Sequence, residues 1–222
     1  MSKRIRMSGL QRREQLLKVA RQVFASHGFE GASMEEIAQA ADVSKPVVYE
    51  HFGGKDAIYA VVVDREVRHL VQVITDALLS STSPRQMAEA AALALLDFIE
   101  TDTDGFRIMM RDAPASHASG TYWSVIGEVA ERVQAIVATQ FKASGYNPKW
   151  APMYAQMLVG MVSQVGQWWL DVRKPDKYEV AAHLANLAWL GMRHLSPNPT
   201  LLSRPEDKSA ATRANKKGKD ER

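Results

Sequence analysis

An all-α protein of about nine helices is what this sequence predicts, and three observations lead there. Apolar residues recur with the 3.6-residue period of a helix over most of the chain. The periodic stretches are bounded by capping residues, prolines or glycines placed as helix boundaries require. Nowhere does a run of six or more residues alternate with period two beside a hairpin turn. The length of 222 residues and the 46% apolar share are enough for one large domain or two small ones with a substantial core.

The first helix is expected over 10–26, where Leu16, Leu17, Ala20, Val23 and Phe24 share one face and Arg13, Glu14, Lys18 and Arg21 lie between them. Gly28 then suits the left-handed position that ends a helix. Ser33-Met34-Glu35-Glu36 has the form of a capping box and opens a second helix over 34–41. Ser44 is placed to cap a third over 45–52, with Pro46 in its first turn, and Gly53-Gly54 closes it. Asp56 begins a long fourth helix reaching about residue 80. Ser83-Pro84 and Asn147-Pro148 pair a cap with a first-turn proline, and Asp176 to Glu179 resembles a capping box led by aspartate. The remaining helices are expected near 84–101, 105–112, 120–144, 148–172 and 177–194.

Four segments follow. Residues 1–9 form a basic arm containing Lys3, Arg4 and Arg6, residues 10–55 a helical head, residues 56–196 a larger helical body, and residues 197–222 a disordered basic tail with few apolar residues. Charge is uneven: +2 over 1–56, −2 over 57–202 and +3 over 203–222. A basic front on an acidic body is a weak sign of nucleic-acid binding. The chain has no cysteine, so disulfides, thiolate metal sites and a cysteine nucleophile are excluded. Without a signal-peptide core or a long apolar span, a soluble cytoplasmic protein is expected, with no membrane partner.

Residues 33–52 hold the informative pattern. Two short helices flank a tight turn at Asp42-Val43, the helix-turn-helix layout. A helix of eight residues is roughly 12 Å long and fits a major groove of about 12 Å. Ile37, Ala38, Ala41, Val43, Val48 and Phe52 can pack the pair onto the first helix, leaving Lys45, Val47 and Tyr49 outward.

The run over 24–59 resembles the DNA-binding region of the TetR family of transcriptional repressors. Gly28-Phe29, Ile37-Ala38, Val43-Ser44, Tyr49, His51-Phe52 and Lys55 carry the likeness. It implies a homodimeric regulator on a near-palindromic double-stranded operator. Ser44, Lys45, Pro46 and Val47 then stand where base edges are read, with Lys45 suited to guanine and Pro46 or Val47 to a thymine methyl. Ser33, Tyr49, His51 and Lys55 correspond to positions that touch the sugar-phosphate backbone. Ser33 and Ser44 are also helix caps, whatever they touch besides. Two residues depart from the pattern: Asp42 replaces the usual turn glycine, and Glu50 stands where an aromatic is common. Aspartate tolerates a left-handed backbone, so the turn should survive.

The body is rich in Met and Trp. Phe98, Phe106, Met110, Trp123, Met157, Met161, Gln164 and Trp168 are the expected lining of a cavity for a small, largely apolar effector. An ordinary core is the better account of any one of the apolar residues taken singly, and Gln164, as a buried amide, is the more telling position. Ala181, Ala185 and Ala188 form a small-residue stripe beside Trp189, read as a dimer surface in keeping with the family's helical-bundle dimers. The histidines show no ligand spacing, so no metal or cofactor is expected. A small helical enzyme using the Met/Trp cavity is the alternative, and no nucleophile set, carboxylate pair or phosphate loop supports it.

Overall fold

Ser8 opens the first helix by accepting from the Gln11 N–H, while the Gln11 side chain accepts from the Ser8 N–H. The computed structural model describes residues 7–110 and 122–200 (122–126 by backbone only), and among them nine α-helices and no strand. Residues 1–6 of the expected arm, the far end of the sixth helix and most of the tail lie outside the described residues, as does the Trp123 side chain, while Ser8 and Gly9, expected in the arm, cap and open the first helix.

Helix α1, Gly9–Gly31, runs past its expected end because the chain kinks at Gly28 and makes one more turn. Gly28 sits at φ 72°, where a side chain would be strained. Helices α2, Met34–Ala40, and α3, Lys45–Phe52, follow the sequence reading closely. Helix α4, Lys55–Leu79, is 25 residues long. Then come α5, Pro84–Thr101, α6, Thr103–Met110, α7, Tyr122–Ala143, α8, Ala151–Val172, and α9, Lys177–Arg193. Asn147 accepts from the Lys149 N–H and starts a 3-10 turn, Pro148–Trp150, that leads into α8. Asp176 caps α9 by accepting from two backbone N–H groups at 2.9 and 3.0 Å.

One expected cap is absent. The Ser44 hydroxyl makes no capping bond. Pro46 has removed one of the two N–H groups such a cap would use, and the other, of Val47, donates to the Ser44 carbonyl at 3.0 Å.

Two apolar cores share α4. Its first half joins α1 to α3 around Leu16, Phe24, Ile37, Val48 and Phe52, and Ile108 of α6 is inserted among them. Its second half, with Leu70, Ile74 and Leu78, packs in a core with α5 to α9 around Leu95, Ile99 and Trp169. Head and body are therefore continuous through one helix, supplemented by α6.

Candidate nucleic-acid interface and internal cavity

Burial of Val48 and Phe52 decides which face of α3 turns outward. Arg13 of α1 holds the end of α3 by donating to the His51 carbonyl at 2.6 Å, its guanidinium lying 4.2 Å from the Phe52 ring centre. The turn before α3 has Asp42 at φ 53°, the left-handed conformation expected of its residue type. Ser44, Lys45, Pro46, Tyr49 and Glu50 are exposed, and Val47 and His51 are half-buried. Of the expected base-reading residues, Ser44, Lys45 and Pro46 are thus accessible, and Val47, expected outward, is partly covered.

Lys45 is not a bare cation. It pairs with Glu35 of α2, and its ammonium lies 5.6 Å from the Tyr49 ring centre. The bond from Lys45 holds the Glu35 carboxyl below the ordinary range and raises the lysine in turn. The Ser33 hydroxyl is committed to its capping box, accepting from the Glu36 N–H at 3.2 Å and donating to the Glu36 carboxylate at 3.0 Å. Lys55 is half-buried. Its ammonium donates to the carbonyls of Phe29 at 2.8 Å and Ala32 at 3.1 Å, over the Phe29 ring. It binds the last turn of α1 to the start of α4, a role that local sequence did not signal because its partners lie more than twenty residues away.

The body encloses a cavity of about 420 Å³. Leu70 and Ile74 of α4, Leu95 of α5, Phe106 of α6, Val133 and Phe141 of α7, Met161 of α8 and Trp189 of α9 contribute to its wall. Polar groups are few, chiefly Gln140, Ser144 and Tyr146 at and beyond the end of α7, Ser163 in α8 and Arg193 at the end of α9.

Of the residues expected to line it, Phe106 and Met161 do. Phe98 is buried in the α5 core with its ring edge-on to His69 at 5.2 Å, and Met110 packs on the same core. Met157, Gln164 and Trp168 are exposed on the outer face of α8, so Gln164 is not a buried amide. The expected dimer residues are likewise displaced. Ala181 is buried in the core that α9 shares with α5, Ala185 is buried too, and Ala188 and Trp189 face the cavity. The cause is that α8 is apolar nearly all round, so two stripes of it satisfy helical spacing. The stripe through Ala151, Ala155, Gly166 and Trp169 is the buried one. On α9 the small residues allow close approach to α5 of the same chain. Outward lie Met153, Met157, Trp168 and Val172 of α8, and Tyr178, Leu187 and Leu190 of α9.

Among the described residues no helix is long and apolar enough to cross a membrane, and no three metal-binding side chains cluster.

Comparison with known proteins agrees with this geometry. A model of bacterial regulatory proteins, tetR family, matches residues 16–62, and a tetracyclin repressor-like C-terminal domain matches 84–191. The HTH-type transcriptional activator FasR of Mycolicibacterium smegmatis is 34% identical over 190 residues, covering 83% of this chain and 84% of its own. A TetR-like regulator structure from Rhodococcus sp. RHA1 superposes with TM-score 0.65 at 25% identity, over 86% of this chain and all of the other. The fatty acid degradation regulator FadR from Bacillus halodurans has the same fold, with TM-score 0.69 at 17% identity over 86% of this chain and 100% of its own. Matched in both its reading head and its body, and akin to FasR over most of both lengths, the chain belongs to the TetR family of DNA-binding transcriptional regulators, which are not enzymes.

Proposed function

We propose that this chain binds a near-palindromic operator as a homodimer and is released from it by a small, largely apolar effector. The observation that carries the DNA-binding half is the exposed ridge of α3, held at its base by Val48 and Phe52 and at its end by Arg13. Ser44, Lys45, Pro46 and Val47 read base edges in this assignment. The Ser44 hydroxyl, uncommitted to its own helix, is suited to that task. Tyr49 and His51 meet the sugar-phosphate backbone. Ser33 and Lys55 approach it only by sharing groups already engaged in the head.

The outer apolar residues of α8 and α9 support a dimer surface, in place of the alanine stripe. The cavity supports an effector with an apolar body and one polar group, the latter beside Gln140, Ser144 or Arg193. Binding represses where the operator overlaps a promoter and activates where it lies upstream of one, and release reverses either effect. Since the relative FasR bears the name of an activator, the repressor implied by the resemblance widens to a regulator of either sign.

Selection of bound duplexes from a random pool tests the reading. Two inverted half-sites are expected, their centres one helical turn or a multiple of ~34–36 Å apart. Enrichment of no motif, or of a single unrepeated one, would refute the symmetric reader.

A further inference from the structure

Charged side chains from three segments meet where the head joins the body. Arg21 of α1 donates from Nε to one Glu66 oxygen at 2.7 Å, and from a terminal nitrogen to the other at 3.1 Å. That terminal nitrogen also donates to Asp102, in the link between α5 and α6. The same Asp102 oxygen accepts from the Gly105 N–H at 3.2 Å, in the first turn of α6. His69 stands at the rim, its Nδ1 3.8 Å from the other Asp102 oxygen. The Glu66 side chain is only 8% exposed, and the guanidinium is its partner in these bonds.

Space at the junction is closed as well. A Cβ on Gly105 would collide with a Glu66 oxygen and lie 2.8 Å from the guanidinium, so only a hydrogen fits. The next residue, Phe106, is part of the cavity wall. One planar cation therefore ties the reading head, the long α4 and the cavity-lining α6 together. A two-pronged bond to Glu66 fixes orientation as well as distance, as a lysine could not.

We propose that Arg21 is a positioning residue that locks the orientation of the DNA-reading head on the body. This rests on the DNA-binding reading above, but its first test does not need DNA. The chain has no cysteine, so Gln39→Cys on α2 and Glu131→Cys on α7, both exposed, accept spin labels selectively. The label-to-label distance is measured by pulsed electron resonance, diluted with unlabelled protein so that one protomer is read.

A single narrow distance is expected with Arg21 intact. Arg21→Gln should widen or displace it at unchanged helical content. Asp102→Asn, which leaves the Arg21–Glu66 bonds in place, provides a milder variant that keeps the fold. Arg21→Lys should keep more of the thermal stability than Arg21→Gln while restoring little of the narrow distance. Operator affinity should fall with the widening, within the roughly 5- to 150-fold range of a coupling of this kind. Distance distributions of Arg21→Gln and Arg21→Lys that both superpose on the parent would overturn the proposal and leave Arg21 a stabilising residue only. Failure to find any operator would instead count against the regulatory reading, with the distance result standing by itself.

Discussion

Lys45 shows how a single side chain can be both held and available. Its tie to Glu35 points it along the ridge, yet both partners are exposed and exchange readily with water or phosphate. Lys45→Ala is expected to weaken the operator roughly ten- to a hundredfold and to relax one base position, read by competition with single-base variants. Glu35→Gln should act oppositely, tightening both operator and random duplex and steepening the salt dependence, because it frees a cation and removes an anion beside DNA. The pH behaviour has a definite sign. Lys45 depresses the Glu35 pKa below its ordinary value, so the tie persists above that range and is lost only as pH falls through the lowered value. The gain from Glu35→Gln should hence be the same at pH 6 and pH 8 in a fluorescence titration. The sequence allowed Ser44, Lys45, Tyr49 and the left-handed Asp42 to be placed because short-range geometry governs a turn and an eight-residue helix. It did not reveal Glu35 as the partner of Lys45, ten residues away across that turn.

At the level of helices, ends were legible and faces were not. Caps and prolines act within three or four residues, so Ser33, Ser83, Asn147 and Asp176 mark starts that the structure reproduces. Which side of α8 is buried depends on α5 and α7, and an almost wholly apolar helix carries no such information. That is why helical spacing alone predicts Gln164 and Trp168 inward and the alanines of α9 outward, and the structure has the reverse. Two substitutions probe these elements. Gly166 packs α8 against α5 so closely that a Cβ would stand 2.9 Å from Leu95 and 3.0 Å from Ile99. Gly166→Ala should cost about 1–3 kcal/mol in chemical denaturation, as overpacking does, reduced by however far those side-chain ends can turn. Lys55→Met should cost about 1.5–3 kcal/mol without any DNA present, since its ammonium closes carbonyls at the end of α1. A lysine kept only for phosphate would leave the free protein's midpoint unmoved.

For the molecule as a whole, the exposed apolar faces of α8 and α9 and the apolar interior behind them make opposite demands on mutation. Trp168→Asp combined with Leu187→Asp is expected to yield a folded monomer in analytical ultracentrifugation, because both side chains project from the surface, 48% and 63% exposed. Ala185→Asp should instead unfold the body, as a charge placed in an apolar core without a partner does. Retention of the dimer by the double variant would exclude this face as the association surface.

The length of α4 has a mechanical consequence. Its 25 residues extend about 37 Å at 1.5 Å per residue, and the helix is seated in the head core at one end and against the cavity at the other. A rod of that length pivoting through ~5° at its inner seat sweeps its tip about 3 Å, close to the 3.4 Å step between stacked bases. On the proposed reading, a molecule lodged beside Leu70 and Ile74 would have no need to deform the reader. A slight wedge under one end of the beam would be enough to slide each recognition ridge off its base pairs by a full rung.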